Sequence, residues 1–261
     1  KPTKKQIQTV PHHLFDICPP TETYDLHRYQ NYAKVAIREI KSRNKIPILV
    51  GGSGQYLWSL VENWDLGNVK PNPDLRVELD FKVSDKQGKS ELLEELRTNA
   101  PDIYNNIDIL NPRRIVRGIE KLRSGETSHA PRKRGSGINR WFVIGLTQNR
   151  AGLYKRVDER AERMVSNGWI AETKRLISDG WDTGVPSMSS IGYRELSLFL
   201  DKGLSWELCM GKIKSRTHRL IRTQYNWFKM SDARINWKDL GSIEEHSVIR
   251  EIKDALNELK T

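Results

Sequence analysis

The sequence predicts an α/β fold with a parallel sheet. Two apolar runs and the segments around them carry the prediction. Residues 46–50 (IPILV) are short, largely β-branched and closed by Gly51-Gly52. That composition suits a strand buried on both faces, as parallel strands are. Residues 141–146 (WFVIGL) form a second such run. Helical spacing precedes the first run and follows both, giving the order helix, strand, glycine turn, helix typical of α/β chains.

Taken in order, residues 27–43 carry Tyr29, Ala33, Ala36, Ile37 and Ile40 at helical spacing, with basic residues crowding the end. Tyr56–Val61 follows the glycine turn and reads as helical. Residues 63–75, with two prolines and three asparagines, read as a loop. Short helices are expected over 90–98 and 101–107, the second opened by Pro101-Asp102. Residues 112–123 read as a helix with Pro112 at its start. Residues 124–140, rich in Gly, Ser and basic residues, read as a surface loop. A long helical stretch over 151–178 is expected to break near Asn167-Gly168. Further helices are expected over 206–229 and 243–260.

Lys and Arg number 44 against 33 Asp and Glu, a net charge of +11. This balance points to an acidic partner, of which nucleic acid is the commonest. Eight Trp, eight Tyr and 37% hydrophobic residues argue against disorder. No run approaches the roughly 18–20 apolar residues that span a bilayer, so no membrane partner is expected and a cytoplasmic location is. Cys18 and Cys209, the only cysteines, supply neither a disulfide framework nor a Cys-based zinc site. No G-x-x-x-x-G-K-[ST] loop, H-E-x-x-H or G-x-S-x-G pattern occurs, and no residue is assigned as a metal ligand.

Four segments carry candidate chemistry. GGSGQY (51–56) sits where a strand hands over to a helix. Glycines there bring backbone N–H groups to an anion, and Ser53 adds a hydroxyl; an ordinary tight turn is the alternative. PRRIVR (112–117) groups Arg113, Arg114 and Arg117 within a turn and a half, a pattern suited to phosphate. Residues 113–140 hold nine Lys or Arg against two acids, leaving few local partners. Residues 211–230 hold six Lys or Arg, one His and no acid, with Tyr225, Trp227 and Phe228 interleaved. The basic face suits nucleic acid, whereas Leu220, Gln224, Trp227 and Phe228 are expected to face the core. PSMSSIGYREL (186–196) joins a loop to a helical segment. His12 and His13 read as structural, hydrogen-bonded histidines.

In order, KPT, VPHHLFDI, IPILVGGSGQYL, NPRRIVRGIE, LYKRVDERAERMVSNGWIAE, SSIGYREL and THRLIRTQYNWF span nearly the whole chain. This ordered set resembles the bacterial tRNA dimethylallyltransferases, or tRNA isopentenyltransferases; plant adenylate isopentenyltransferases share part of it. The resemblance implies a P-loop-kinase-like parallel sheet core with helical insertions that grip tRNA. It implies transfer of a dimethylallyl group from dimethylallyl diphosphate to N6 of the adenosine 3′ to the anticodon. The base is flipped from its stack, and Mg²⁺ and a P-loop hold the pyrophosphate without nucleotide hydrolysis. A monomer that binds the anticodon stem-loop is expected.

Residue by residue, Ser53 takes the place of the usual Thr of GGTGLY, where a hydroxyl lies near substrate, and Gln55 replaces the usual Leu. Arg76 matches an arginine of tRNA contact. Arg113, Arg114, Ile115, Val116 and Arg117 match the tRNA-contacting helix. Arg160 matches an arginine near the diphosphate. Ser189, Ser190, Ile191, Gly192, Tyr193 and Arg194 match the tRNA-contact loop. Thr223 stands where the family carries a basic residue.

The family's P-loop and its DSxQ motif, with the base Asp, lie before KPT, and neither occurs here. The expectations are that a segment precedes residue 1 and that these 261 residues alone bind tRNA without transferring. The expected division is an α/β core over 1–65, 111–150 and 211–240, a helical insertion over 66–110, a tRNA-contacting helical segment over 151–210 and a C-terminal helix over 241–261. An RNA-binding module without catalysis, or a P-loop kinase relative acting on a small nucleotide, are the competing readings.

Overall fold

A computed structural model describes residues 2–66, 72–128, 141–181 and 184–258. The expected basic loop over 124–140 lies mostly outside them. The chain forms two compact units, one of residues 1–63 and 137–261, the other of residues 64–136.

The first unit opens with α1 (Lys4–Thr9), capped reciprocally by Thr3 and Gln6. Helix α2 (Leu26–Ser42) starts at Asp25, whose carboxylate accepts the Arg28 N–H. It packs on α3 (Gly54–Val61) through Tyr29, Ala33 and Leu60. The Tyr29 and Tyr56 rings stack at 4.5 Å.

The second unit is helical: α4 (Pro73–Ser84), α5 (Lys86–Asn99), α6 (Pro101–Asn106) and α7 (Pro112–Arg123). Asn72, Asp85 and Asn111 cap three of them with side-chain oxygens. Its core is aliphatic, with Leu79, Leu92, Leu96, Ile115 and Ile119 fully buried. Helix α7 packs on α4 and α5, so it belongs to this unit and not to the sheet core, as the expected division from residue 111 had it. The reason is its apolar stripe of Ile115, Val116 and Ile119, which this unit's core covers.

The first unit resumes with β1 (Val143–Thr147), then α8 (Arg150–Ser166) and α9 (Trp169–Ser178), separated at Gly168. Gly168 has φ +96, a conformation that ends α8 at little cost only for glycine. A short 3₁₀ turn (Pro186–Ser189) leads to α10 (Tyr193–Asp201) and the long α11 (Trp206–Trp227). Strand β2 (Ile235–Asp239) pairs in parallel with β1, Gly145 opposite Trp237, and α12 (Glu245–Glu258) follows. Parallel pairing needs a crossover, which α8 to α11 supply. Ala161, Trp169, Leu196, Cys209 and Ile213 form the core of that crossover. Helix α11 packs on α8 and α10, so the expected boundary at residue 211 falls inside one helix.

The expected strand at 46–50 is corrected. No described residue pairs with it, and β1–β2 is the sheet formed among the described residues. Leu49 packs inward, while Ile46, Ile48 and Val50 stay exposed at 54%, 79% and 87%. Their alternation is that of a strand, but an unpaired one. Leu220 is corrected too. The buried line of α11 runs through Cys209, Ile213 and Ile221. Leu220 sits one position, about 100°, off that line and is 45% exposed.

Candidate active site

The glycine turn and the C-terminal end of α11 are built against each other. The Gln224 amide donates to the Gly52 carbonyl at 3.2 Å. The Trp58 indole donates to the Trp227 carbonyl at 3.0 Å. The Tyr225 hydroxyl meets that of Thr147, the last residue of β1, at 2.9 Å. Adjacent residues of one helix thus hold both the turn and the carboxyl end of a strand, the place where open α/β sheets bind ligands. Arg234 completes the bracing: it pairs with Glu62 and Asp232 at 2.6 Å each, and its guanidinium lies 4.2 Å from the Trp58 ring centre.

Ser53 is the N-cap of α3, yet its side chain makes no capping bond. Its hydroxyl is exposed at the end of a helix whose dipole favours negative charge. Gly54 behind it is buried against Trp227; a Cβ there would lie 2.3 Å from the Trp227 Cβ. The turn is therefore a close approach of backbone to helix that leaves one polar group facing outward. Gln55 is exposed.

Arg160 lies on α8, exposed and without an ion pair among the described residues. Two positions earlier Asp158 bonds His218 of α11 at 2.9 Å, and the Tyr154 and His218 rings stack at 4.0 Å. Lys214 pairs with Glu162 at 2.7 Å. The described structure does not bring Arg160 against Ser53.

The 189–194 loop is anchored from below. Ser189, Ser190 and Arg194 are exposed; Ile191 packs on the crossover core and Gly192 is buried. Gly192 has φ +95, and a Cβ would fall 1.9 Å from the Trp169 ring. Tyr193 stands edge-on to Trp169 and donates to Glu172 at 3.2 Å. Burial pushes the Tyr193 hydroxyl above its ordinary pKa, and the Glu172 charge adds to the effect.

In the second unit the arginines divide. Arg113 and Arg114 are exposed and have no ion pair among the described residues. Arg117 and Arg76 instead converge on Glu120, at 3.1 and 2.7 Å. The Glu120 side chain is 2% exposed. Its burial would raise the carboxyl pKa, but hydrogen bonds from Arg76 and Arg117 win, and it lies below the ordinary value. Lys121 pairs with Glu126, and Arg123 with Glu95 and Glu78. Arg117 and Lys121 thus use the two acids of the 113–140 stretch itself, and Arg123 draws on Glu78 and Glu95 from outside it, which a local count missed. Ile115 and Val116, expected among the tRNA contacts, are corrected: both are buried, at 0% and 4%, and their side chains belong to the core. His12 is exposed, its Nδ1 donating to the Val10 carbonyl at 2.7 Å.

Known proteins resemble this chain over most of its length. The tRNA dimethylallyltransferase of Dehalococcoides mccartyi is 32% identical over 98% of this chain and 79% of its own length. That of Thermomicrobium roseum is 36% identical over 96% and 76%. The crystal structure of the full-length tRNA isopentenylpyrophosphate transferase from Bacillus halodurans aligns with TM-score 0.67 at 30% identity, over 98% of this chain and 80% of that one. A eukaryotic dimethylallyltransferase acting on tRNA shares the fold, with TM-score 0.73 at 21% identity over 97% and 66%. The profile of the IPP transferases matches residues 1–231. That span takes in the glycine turn, both arginine groups, the 189–194 loop and the end of α11 that braces the turn, and the chain belongs to the IPP transferase family.

Proposed function

We propose that this chain acts as a tRNA dimethylallyltransferase. It transfers a dimethylallyl group from dimethylallyl diphosphate to N6 of the adenosine 3′ to the anticodon. The observation that carries the reading is the Ser53 turn: a hydroxyl and a helix N-terminus face outward, held by Gln224 and Trp227 beside the end of β1.

The chemistry needs donors placed in advance where charge develops on the leaving diphosphate, or on the attacking amine. Ser53 and the first N–H groups of α3 supply such donors. Arg160 adds an exposed cation on α8. Arg113 and Arg114 suit phosphates of an RNA stem, and Ser189, Ser190 and Arg194 suit an RNA loop. Arg76 and Arg117 reach RNA only from their seat on Glu120.

Mg²⁺ accompanies the diphosphate in this reading. Among the described residues no group of three or more His, Cys, Asp or Glu could hold a metal ion. No helix among the described residues is long and apolar enough to cross a membrane; a cytoplasmic monomer is part of the proposal.

The test, made on the full-length protein, is transfer of a labelled dimethylallyl group to an anticodon stem-loop with adenosine 3′ to the anticodon. A second loop carries guanosine there. Label on the first loop alone is expected. Label on free adenine nucleotide instead would overturn the tRNA reading in favour of a small-nucleotide enzyme. Binding of the loop without transfer would favour an RNA-binding module.

A further inference from the structure

Beneath the 189–194 loop lies one buried carboxylate with both oxygens in use. The Glu195 side chain is 4% exposed. Its Oε2 accepts the Gly192 N–H at 2.8 Å. Its Oε1 accepts Nη1 of Arg216, which rises from α11. The other arm of the same guanidinium, Nη2, reaches the Ser189 carbonyl at 3.4 Å. One carboxylate–guanidinium pair therefore holds the loop at both ends, Gly192 through Glu195 and Ser189 through Arg216. Between those ends Ser190 is exposed, as is Arg194 just beyond.

We propose that Arg216 and Glu195 are positioning residues: they hold the Ser189–Gly192 backbone in the shape that RNA binds, without touching RNA themselves. The inference rests on the tRNA reading above. A planar fork can serve two acceptors at once, which an ammonium cannot do with the same geometry. Removing either partner leaves a charge without its counterpart beside the buried loop end. The loop then samples other shapes, and binding is weakened by the fraction of time it is misplaced.

The sign of the Glu195→Gln effect separates positioning from simple charge. That variant raises the net positive charge, so electrostatics alone would tighten RNA binding. Positioning predicts the reverse, a loss of about tenfold in affinity, the scale of one charge-assisted hydrogen bond. Arg216→Lys keeps the charge and is expected to keep the melting temperature near that of the wild type. It should still weaken binding, because the bridge to Ser189 is lost.

The experiment measures dissociation constants for an anticodon stem-loop, melting temperatures and amide hydrogen exchange over 189–194 for the wild type and both variants. Weaker binding with faster exchange at Gly192, in a folded protein, is expected. Wild-type affinity in Arg216→Lys, or equal or tighter binding in Glu195→Gln, would overturn the proposal; if Glu195→Gln fails to fold, Arg216→Lys decides alone. A wild type that does not bind the stem-loop at all, though its Gly192 amide is protected, would instead remove the tRNA reading and the loop's role with it.

Discussion

Gln224 donates to the Gly52 carbonyl across 172 positions of sequence, and three residues further along the same helix Trp227 covers Gly54. The two glycines face different obstacles. A Cβ on Gly52 would meet the end of the Gln224 side chain, which can swing away. A Cβ on Gly54 would meet Cβ and Cγ of Trp227, which cannot move without shifting α11. Gly54→Ala is therefore expected to cost about 1–3 kcal/mol as overpacking, and Gly52→Ala clearly less. Urea unfolding of both variants checks the order; equal costs would mean that Trp227 yields as easily as Gln224.

How far this was legible in the sequence depends on the kind of signal. The break at Gly168 and the extents of α2, α3 and α11 follow from helical spacing and from local turn chemistry. Helix α4 left no such trace. Its apolar residues, Leu75, Val77, Leu79, Phe81 and Val83, alternate with polar ones, the period of a strand. As a helix it buries Leu79 and Val83 and leaves Val77 and Phe81 exposed at 74% and 82%. Residues 46–50 show the converse, a strand's composition with no partner strand among the described residues. The glycine turn and the arginines could be read as candidates. The Arg76–Glu120 and Arg216–Glu195 pairs could not, because each joins residues 20 or more apart, a relation that spacing does not carry.

Glu120 makes the second unit sensitive to acid. Its carboxyl pKa is held below the ordinary 4.5 by Arg76 and Arg117. A depressed folded pKa contributes stability that is complete above the unfolded value and is lost as pH falls through the folded one. Both arginines are about a third exposed, so water screens the pair and the contribution is modest, about 1 kcal/mol. Glu120→Gln is expected to flatten the fall in melting temperature below about pH 4.5. An unaltered acid profile would place the sensitivity elsewhere.

Arg113 and Arg114 should separate from Arg117 in salt titrations. The first two are exposed and unpaired among the described residues, so each is available to neutralise a phosphate. Mutation of either to Ala is expected to reduce the log–log salt slope by about one. Arg117→Ala removes a partner of buried Glu120 and should lower the melting temperature more than either. Equal melting temperatures for the three variants would contradict the division.

Ser53 is the last case, and the comparison with Ser205 decides it. Both are serines at helix N-caps. Ser205 accepts the Leu208 N–H at 3.3 Å, as a capping serine does. Ser53, with ψ near 95° against 155° for Ser205, makes no such bond. Removing a capping hydroxyl costs around 1 kcal/mol of stability; removing one that does not cap should cost almost none. A hydroxyl facing a diphosphate or a reacting amine acts on rate instead, where losing one pre-placed donor costs on the order of 10²–10³. In the full-length protein Ser53→Ala is therefore expected to keep its melting temperature and lose single-turnover transfer rate, and Ser205→Ala to show the reverse. Ser53→Thr keeps the donor and should retain most of the rate. A lower melting temperature for Ser53→Ala with transfer intact would make Ser53 a cap after all.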